Sequence, residues 1–207
     1  MAYLVLVRHG QSEWNLLGQW TGLTDVPLTD QGRDEARQAG KLLESIDLHR
    51  AYTSKLQRAQ HTLDEITSHL GVELERTAHP ELNERDYGDL TGKNKWQVKE
   101  EHGEELFMKW RRSWDHPVPG GETLKDVSDR VLPFYEQHIL GDLRGGKNVI
   151  VTAHGNSLRA LMKHLEEVAD DQSHEVEIKT GEVHMYEIDA NGKVLHKTVL
   201  GGNAQDQ

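Results

Sequence analysis

Tyr3-Leu4-Val5-Leu6-Val7-Arg8-His9-Gly10 opens the chain with an unbroken aliphatic run that stops at a basic residue, a histidine and a glycine. A continuous run of this kind, without polar alternation, is the pattern of a strand buried on both faces of a mostly parallel sheet. The same pattern returns in Lys147-Asn148-Val149-Ile150-Val151-Thr152-Ala153-His154-Gly155. Both strands therefore finish in His-Gly. Helical segments separate them, so the fold class is α/β: a single three-layer domain with a mostly parallel central sheet and helices on both faces. In such sheets ligands bind beyond the carboxyl ends of the strands, where both histidines fall.

Working outward, Ala36, Ala39, Gly40 and Leu43 recur at helical spacing, and Thr29 stands where an N-cap belongs. Residues 50–54 read as a short strand. Leu56, Ala59, Leu63, Ile66 and Leu70 form one stripe of a second helix, stopped by Gly71. Residues 72–76 are expected to be a strand. Residues 81–122 are polar, charged and rich in Trp, long for a connection and so expected to carry function. Leu124, Val127, Val131 and Phe134 or Tyr135 mark a helix, and Ser157 or Asn156 is expected to cap another. Residues 183–189 and 194–200 flank Ala190-Asn191-Gly192, a hairpin signal. One domain is expected over residues 3–201, followed by a flexible tail at 202–207.

The 207-residue length suits one domain, which at this size buries roughly 70% of its unfolded surface. Cysteine is absent, which rules out disulfides, thiolate metal sites and cysteine nucleophiles. A formal net charge of −11 argues against nucleic acid and anionic membrane as partners. No apolar run approaches the ~18 residues of a membrane span, and the N-terminus reads as a strand rather than a signal peptide, so a cytoplasmic protein is expected. A small anion can still be bound if basic residues cluster locally. The 13 histidines contain no His-Glu-x-x-His run, and no metal is expected.

A histidine at the end of a buried strand suits nucleophilic attack on phosphorus, because neutral imidazole offers one ring nitrogen while the other donates to a carbonyl. Arg8 beside it presents a planar fork to phosphate oxygens. His154-Gly155 leads into a helix whose N-terminal amides favour an anion. Arg58, on the first turn of a helix after a strand, is a third cation for the same phosphate. A lone histidine or arginine at such a place is more often structural; the joint occurrence makes the functional reading the stronger one.

Arg8-His9-Gly10, Arg58 and His154, in this order, resemble the phosphate pocket of the histidine phosphatase superfamily. Further strings resemble its phosphoglycerate mutase members: Gln11-Ser12-Glu13-Trp14-Asn15, Thr21-Gly22, the stretch from Leu82 to Lys95 with Glu84, Tyr87 and Asn94-Lys95, Trp110-Arg111-Arg112, and His154-Gly155-Asn156-Ser157-Leu158-Arg159. The resemblance runs from about residue 3 to residue 201. It implies interconversion of 3- and 2-phosphoglycerate in glycolysis and gluconeogenesis, with His9 phosphorylated and 2,3-bisphosphoglycerate as primer. It further implies Glu84 as acid and base, and Arg8, Arg58, His154 and the Gly155 amide around the transferring group. Ser12, Asn15, Thr21, Gly22 and Asn156 would place substrate oxygens. Tyr87, Lys95, Arg111 and Arg112 would hold the carboxylate and the second phosphate. His154 is expected to be protonated when phosphate is bound.

The chain departs from the resemblance at several points. Gln11 stands where glutamate is common, and Lys179 and Val183 stand where prolines are usual. The link between Arg112 and Glu122 is short, which leaves monomer and dimer both open. The short C-terminus suggests greater water access and phosphatase side activity. The alternative on the same fold is a broad-specificity phosphomonoesterase, against which Lys95, Arg111 and Arg112 argue. A catalytically silent phospholigand binder is expected to have lost His9 or Glu84, and both are present.

Overall fold

A computed structural model of the chain describes residues 1–200. In chain order the elements are β1 (Ala2–Arg8), α1 (Glu13–Leu16), α2 (Asp30–Leu42), β2 (Arg50–Thr53), α3 (Gln57–Leu70), β3 (Glu75–Ala78), α4 (Lys95–His102), α5 (Glu104–Arg112), α6 (Leu124–Phe134), α7 (Leu140–Arg144), β4 (Val149–Ala153), α8 (Gly155–Leu165), β5 (Val183–Ile188) and β6 (Val194–Leu200). Short 3₁₀ turns occur at Pro80–Leu82, Gly88–Leu90 and Asp170–Glu175. The sheet order is β3-β2-β4-β1-β5-β6. β3, β2, β4 and β1 run parallel, and β5 and β6 form the antiparallel edge.

The two apolar runs are neighbours, paired Leu4 to Val149 through Arg8 to Ala153. Alternate residues serve opposite faces. Leu4, Leu6, Val149 and Val151 pack with Leu124, Val127 and Val131 of α6 and Leu158, Leu161 and Met162 of α8. Val5, Val7 and Ile150 pack with Ala39 of α2, Leu43, and Leu63 and Ile66 of α3. Burial of each such side chain contributes about 1.5–3 kcal/mol. That gives the three layers. A third cluster, Trp20, Leu90, Val98, Phe107, Trp110 and Val118, gives residues 81–122 a core of their own beside the strand ends.

Several boundaries move from their expected places. The strand expected at 72–76 forms at Glu75–Ala78, because Gly71 reverses the chain in a left-handed conformation and three residues are spent returning to the sheet edge. The last helix starts directly after β4, so His154 and not Ser157 or Asn156 is its N-cap; Ser157 Oγ instead accepts from the His154 amide at 3.2 Å. The helix around Val131 contains Pro133, which supplies no amide donor, and the chain widens into a π turn at Tyr135–Ile139. Thr29 caps α2 and the 183–200 hairpin forms as expected. Residues 201–207, with the expected tail, lie outside the described residues. Among the described residues no helix is long and apolar enough to cross a membrane.

The turn after His9 is clamped by α2. A Cβ on Gly10 would lie 2.0 Å from the Gly32 carbonyl oxygen, and one on Gly32 would lie 2.1 Å from that of Gln11. The Gln11 amide donates to Glu35 Oε2 at 2.8 Å, and the Thr29 amide to the Gln11 carbonyl at 3.0 Å. Gly32→Ala is therefore expected to destabilise the protein by about 3 kcal/mol, the upper end of overpacking costs, read as a lowered urea midpoint. An unchanged midpoint would mean that α2 can draw back from the turn.

Candidate active site

His9 and His154 follow adjacent strands, β1 and β4, and their rings lie 5.0 Å apart between centroids, tilted by 59°. The His9 amide donates to the Ala153 carbonyl at 3.0 Å, which ties the two strand ends together. His9 Nδ1 lies 2.7 Å from the Gly10 carbonyl oxygen. A carbonyl can only accept, so Nδ1 carries the proton and Nε2 keeps its lone pair. Burial, then the charges of Arg58 and Arg8, hold the His9 pKa well below the usual imidazole value. Burial, then Arg58, His9, Arg8 and Arg130, hold His154 low, and its Nε2 is 2.7 Å from Ser54 Oγ. Near neutral pH both rings are therefore uncharged.

Arg58 is 1% exposed. Its guanidinium donates to the carbonyls of Thr24 (2.8 Å) and Gly22 (2.9 Å), while its buried Nε has no acceptor. Burial lowers its pKa to about 10, which still leaves it cationic near neutrality. α3 owes its position partly to Asp25, whose carboxylate accepts from the Gln57 amide at 2.7 Å, because Leu56 at the N-cap has no side chain to do so. Arg8 donates to the Ile178 carbonyl at 3.0 Å.

Glu84 is buried beside these groups. Its Oε1 accepts from the amides of Arg85 (2.8 Å) and Asn156 (3.1 Å) and from Asn156 Nδ2 (3.1 Å). Its Oε2 faces Gly155, where an added Cβ would lie 3.7 Å from both Glu84 Oε2 and Arg8 Nε. Asn156 Nδ2 also donates to Tyr87 Oη at 2.8 Å. A cavity of about 90 Å³ opens here, lined by Arg8, Glu84, Tyr87, Lys95, Arg111, Arg112, Gly155 and Asn156 from the sequence-derived set. Trp20, Arg159, Glu177 and Ile178 complete it. Such an arrangement can hold a small polyanion, offer a neutral imidazole to phosphorus and exchange a proton through a carboxyl.

Residues 4–200 match the family described as the histidine phosphatase superfamily, branch 1. The chain belongs to that superfamily. A 2,3-bisphosphoglycerate-dependent phosphoglycerate mutase of Bradyrhizobium diazoefficiens is 50% identical over 202 residues, covering 96% of this chain and 98% of the relative. A protein of the same name from Cytophaga hutchinsonii is 46% identical over 187 residues, covering 90% and 88%. Among solved structures, a mycobacterial glucosyl-3-phosphoglycerate phosphatase superposes with a TM-score of 0.84 at 21% identity, covering 98% of this chain and 100% of that one. Bacillus stearothermophilus YhfR superposes with a TM-score of 0.81 at 28% identity, covering 99% and 98%.

Not every sequence-derived residue of this histidine phosphatase domain lines the cavity: His9, Arg58 and His154 are buried and are not on its wall. Ser12 and Asn15 do not line it; they bond each other in the cap of α1, Ser12 Oγ donating to Asn15 Oδ1 at 2.8 Å. Thr21 is buried next to Trp20, and Gly22 contributes its carbonyl to Arg58. Other residues were not singled out from the sequence. Arg130 donates to the carbonyls of Glu81, Asn83 and Glu84 and pairs with Glu122, so it braces the segment that carries Glu84. Arg159, buried, donates to Asn156 Oδ1 at 3.2 Å and to the Val176 carbonyl at 2.8 Å. Arg85 donates to the Trp110 carbonyl and lies over the Tyr87 ring, 4.7 Å from its centroid. Arg85 and Arg159 lie in family-like strings; Glu122, Arg130 and Glu177 carry no signal in the sequence, because their partners are distant in the chain. Among the described residues no cluster of three or more His, Asp or Glu is placed to hold a metal.

The two neutral histidines make stability depend on pH. Their folded pKa values lie below the unfolded value of about 6.5, so the unfolded chain binds protons first. Stability is fully present above about pH 6.5 and falls as pH drops toward the folded pKa values, by up to about 2.7 kcal/mol per pH unit for two groups. Urea midpoints between pH 7.5 and 5 are expected to show this fall, with a smaller slope in His154→Gln. An equal slope in both proteins would show that His154 is not held neutral.

Proposed function

We propose that this chain interconverts 3-phosphoglycerate and 2-phosphoglycerate through a phosphoryl group carried on His9. The observation that carries the reading is the neutral His9 imidazole, proton on Nδ1, buried against Arg58 and Arg8 and next to a cavity that joins Glu84 to a second group of cations. The relatives named 2,3-bisphosphoglycerate-dependent phosphoglycerate mutases support it over a plain phosphomonoesterase. So does the rim of Lys95, Arg111 and Arg112, which exceeds what one phosphate requires. The residues also suit 2,3-bisphosphoglycerate as primer: the buried Arg58 Nε lacks an acceptor that a phosphate oxygen would provide, and the rim cations suit the remaining anionic groups. When bound, the primer supplies the phosphoryl group of His9.

In this reading His9 Nε2 bonds to phosphorus, and transfer breaks that P–N bond as a substrate hydroxyl forms the new P–O bond. Glu84 receives the hydroxyl proton and returns it in the reverse transfer; acid–base work of this kind contributes about 10²–10⁴-fold. Arg8, Arg58, His154 and the Gly155 amide stabilise charge spread over the phosphoryl oxygens. The phosphoryl charge raises the pKa of His154 and favours its protonated form. Tyr87, Lys95, Arg111 and Arg112 hold the carboxylate and second phosphate, with Asn156 placing substrate oxygens. Ser12, Asn15, Thr21 and Gly22 act by shaping the turn and holding Arg58. We assign the reaction to the cytoplasm, as a step of glycolysis and gluconeogenesis. The site is built within one chain, so the reading needs no second copy.

The deciding assay follows conversion of 3- to 2-phosphoglycerate with and without 2,3-bisphosphoglycerate, and with EDTA. Activity is expected to be stimulated by the primer, unaffected by EDTA and abolished in His9→Ala. Free phosphate as the main product would give the chain to the phosphomonoesterases instead. Arg111→Ala is expected to raise KM for phosphoglycerate at least about tenfold, the worth of one charge-assisted contact, and to leave KM for a simple phosphoester nearly unchanged; equal effects would remove its role.

A further inference from the structure

The cavity contains two carboxylates, Glu84 and Glu177. The mechanism uses only the first. Glu177 pairs with Arg112, Oε1 to Nη2, at 2.7 Å. It stands among cations that the substrate would need, since Arg8, Lys95, Arg111 and Arg159 line the same space. Arg112 and Glu177 also line a larger cavity of about 830 Å³, so their ion pair borders both.

We propose that Glu177 is a specificity-determining residue, an internal anion that occupies Arg112 until a ligand with a second anionic group displaces it. Two features suit a displaceable group. The Glu177 side chain is 45% exposed, so it can turn to water without losing a buried partner, whereas Arg112 is 19% exposed and stays in the wall. A partly solvated pair of this kind contributes little net stability, so an incoming anion can replace one partner. Burial pushes the Glu177 carboxyl up, but the bond to Arg112 and the charges of Arg112, Arg159 and Arg8 outweigh it, so the group is ionised near neutrality.

A ligand with phosphate alone is satisfied at Arg8, Arg58 and the two histidines and leaves the pair intact. A ligand with phosphate and carboxylate competes with Glu177 for Arg112. The cost of displacement then falls only on ligands that reach Arg112, and removing the charge of Glu177 favours only those. This rests on the reading above in taking the ligand as a small phosphorylated acid.

The test compares wild type with Glu177→Gln by calorimetric titration with two inert probes: phosphonoacetate, which carries phosphonate and carboxylate, and methylphosphonate, which carries phosphonate alone. Phosphonoacetate is expected to bind the variant roughly fivefold more tightly, the worth of one screened charge pair, with methylphosphonate changed less than about twofold. Unchanged or weaker phosphonoacetate binding would make Glu177 a support for Arg112 and overturn the proposal. Equal tightening of both probes would overturn it too, since the charge would then act on the whole pocket. Binding needs no turnover, so failure of the mutase assay in wild type would leave this result standing.

Discussion

Arg58 lies buried with its guanidinium directed at two carbonyl oxygens and no carboxylate among its hydrogen-bond partners. A cation in that position is stabilised only in part, and its field reaches everything nearby. After burial itself, it is the largest influence holding His9 and His154 neutral, and it has a buried donor without an acceptor. Both consequences favour an incoming phosphoryl group: the ring that attacks keeps its lone pair, and the anion meets charges already in place. Reorganisation that water would have to perform has been done by folding.

Such a site needs a scaffold that does not relax around its charges. The parallel pairing of β1 with β4 brings the two histidines to one edge, and the Gly10–Gly32 approach prevents the His9 turn from moving. Arg130 and Arg159 extend this rigidity. One fixes the segment of Glu84 through three carbonyls, the other holds Asn156, which in turn holds Glu84 and Tyr87. The carboxyl thus receives part of its orientation from Arg130, which does not line the cavity.

The rim has a different character. Arg111 and Arg112 sit side by side at the end of α5, and burial followed by their mutual repulsion lowers the pKa of Arg111. Glu177 relieves part of that repulsion. An acidic protein thereby keeps a compact positive cavity, with its net negative charge distributed elsewhere.

Local pattern determined a large part of this protein. The two apolar runs, each ending in His-Gly, specify buried parallel strands and place His9 and His154 at the ligand edge, because side-chain burial on both faces admits no polar alternation. Thr29 and Gly71 specify helix ends through hydrogen bonding and a left-handed turn that single residues control. Only the tertiary structure decided that β3 begins at Glu75, that His154 itself caps α8, that Ser12 and Asn15 bond each other away from the cavity wall, and that Ser54, Arg130 and Glu177 face the groups they do. Those relations join residues up to 100 positions apart. Such contacts leave no periodicity in the chain, since hydrogen bonds and ion pairs across packed elements depend on where the layers meet and not on the order in which the residues are strung.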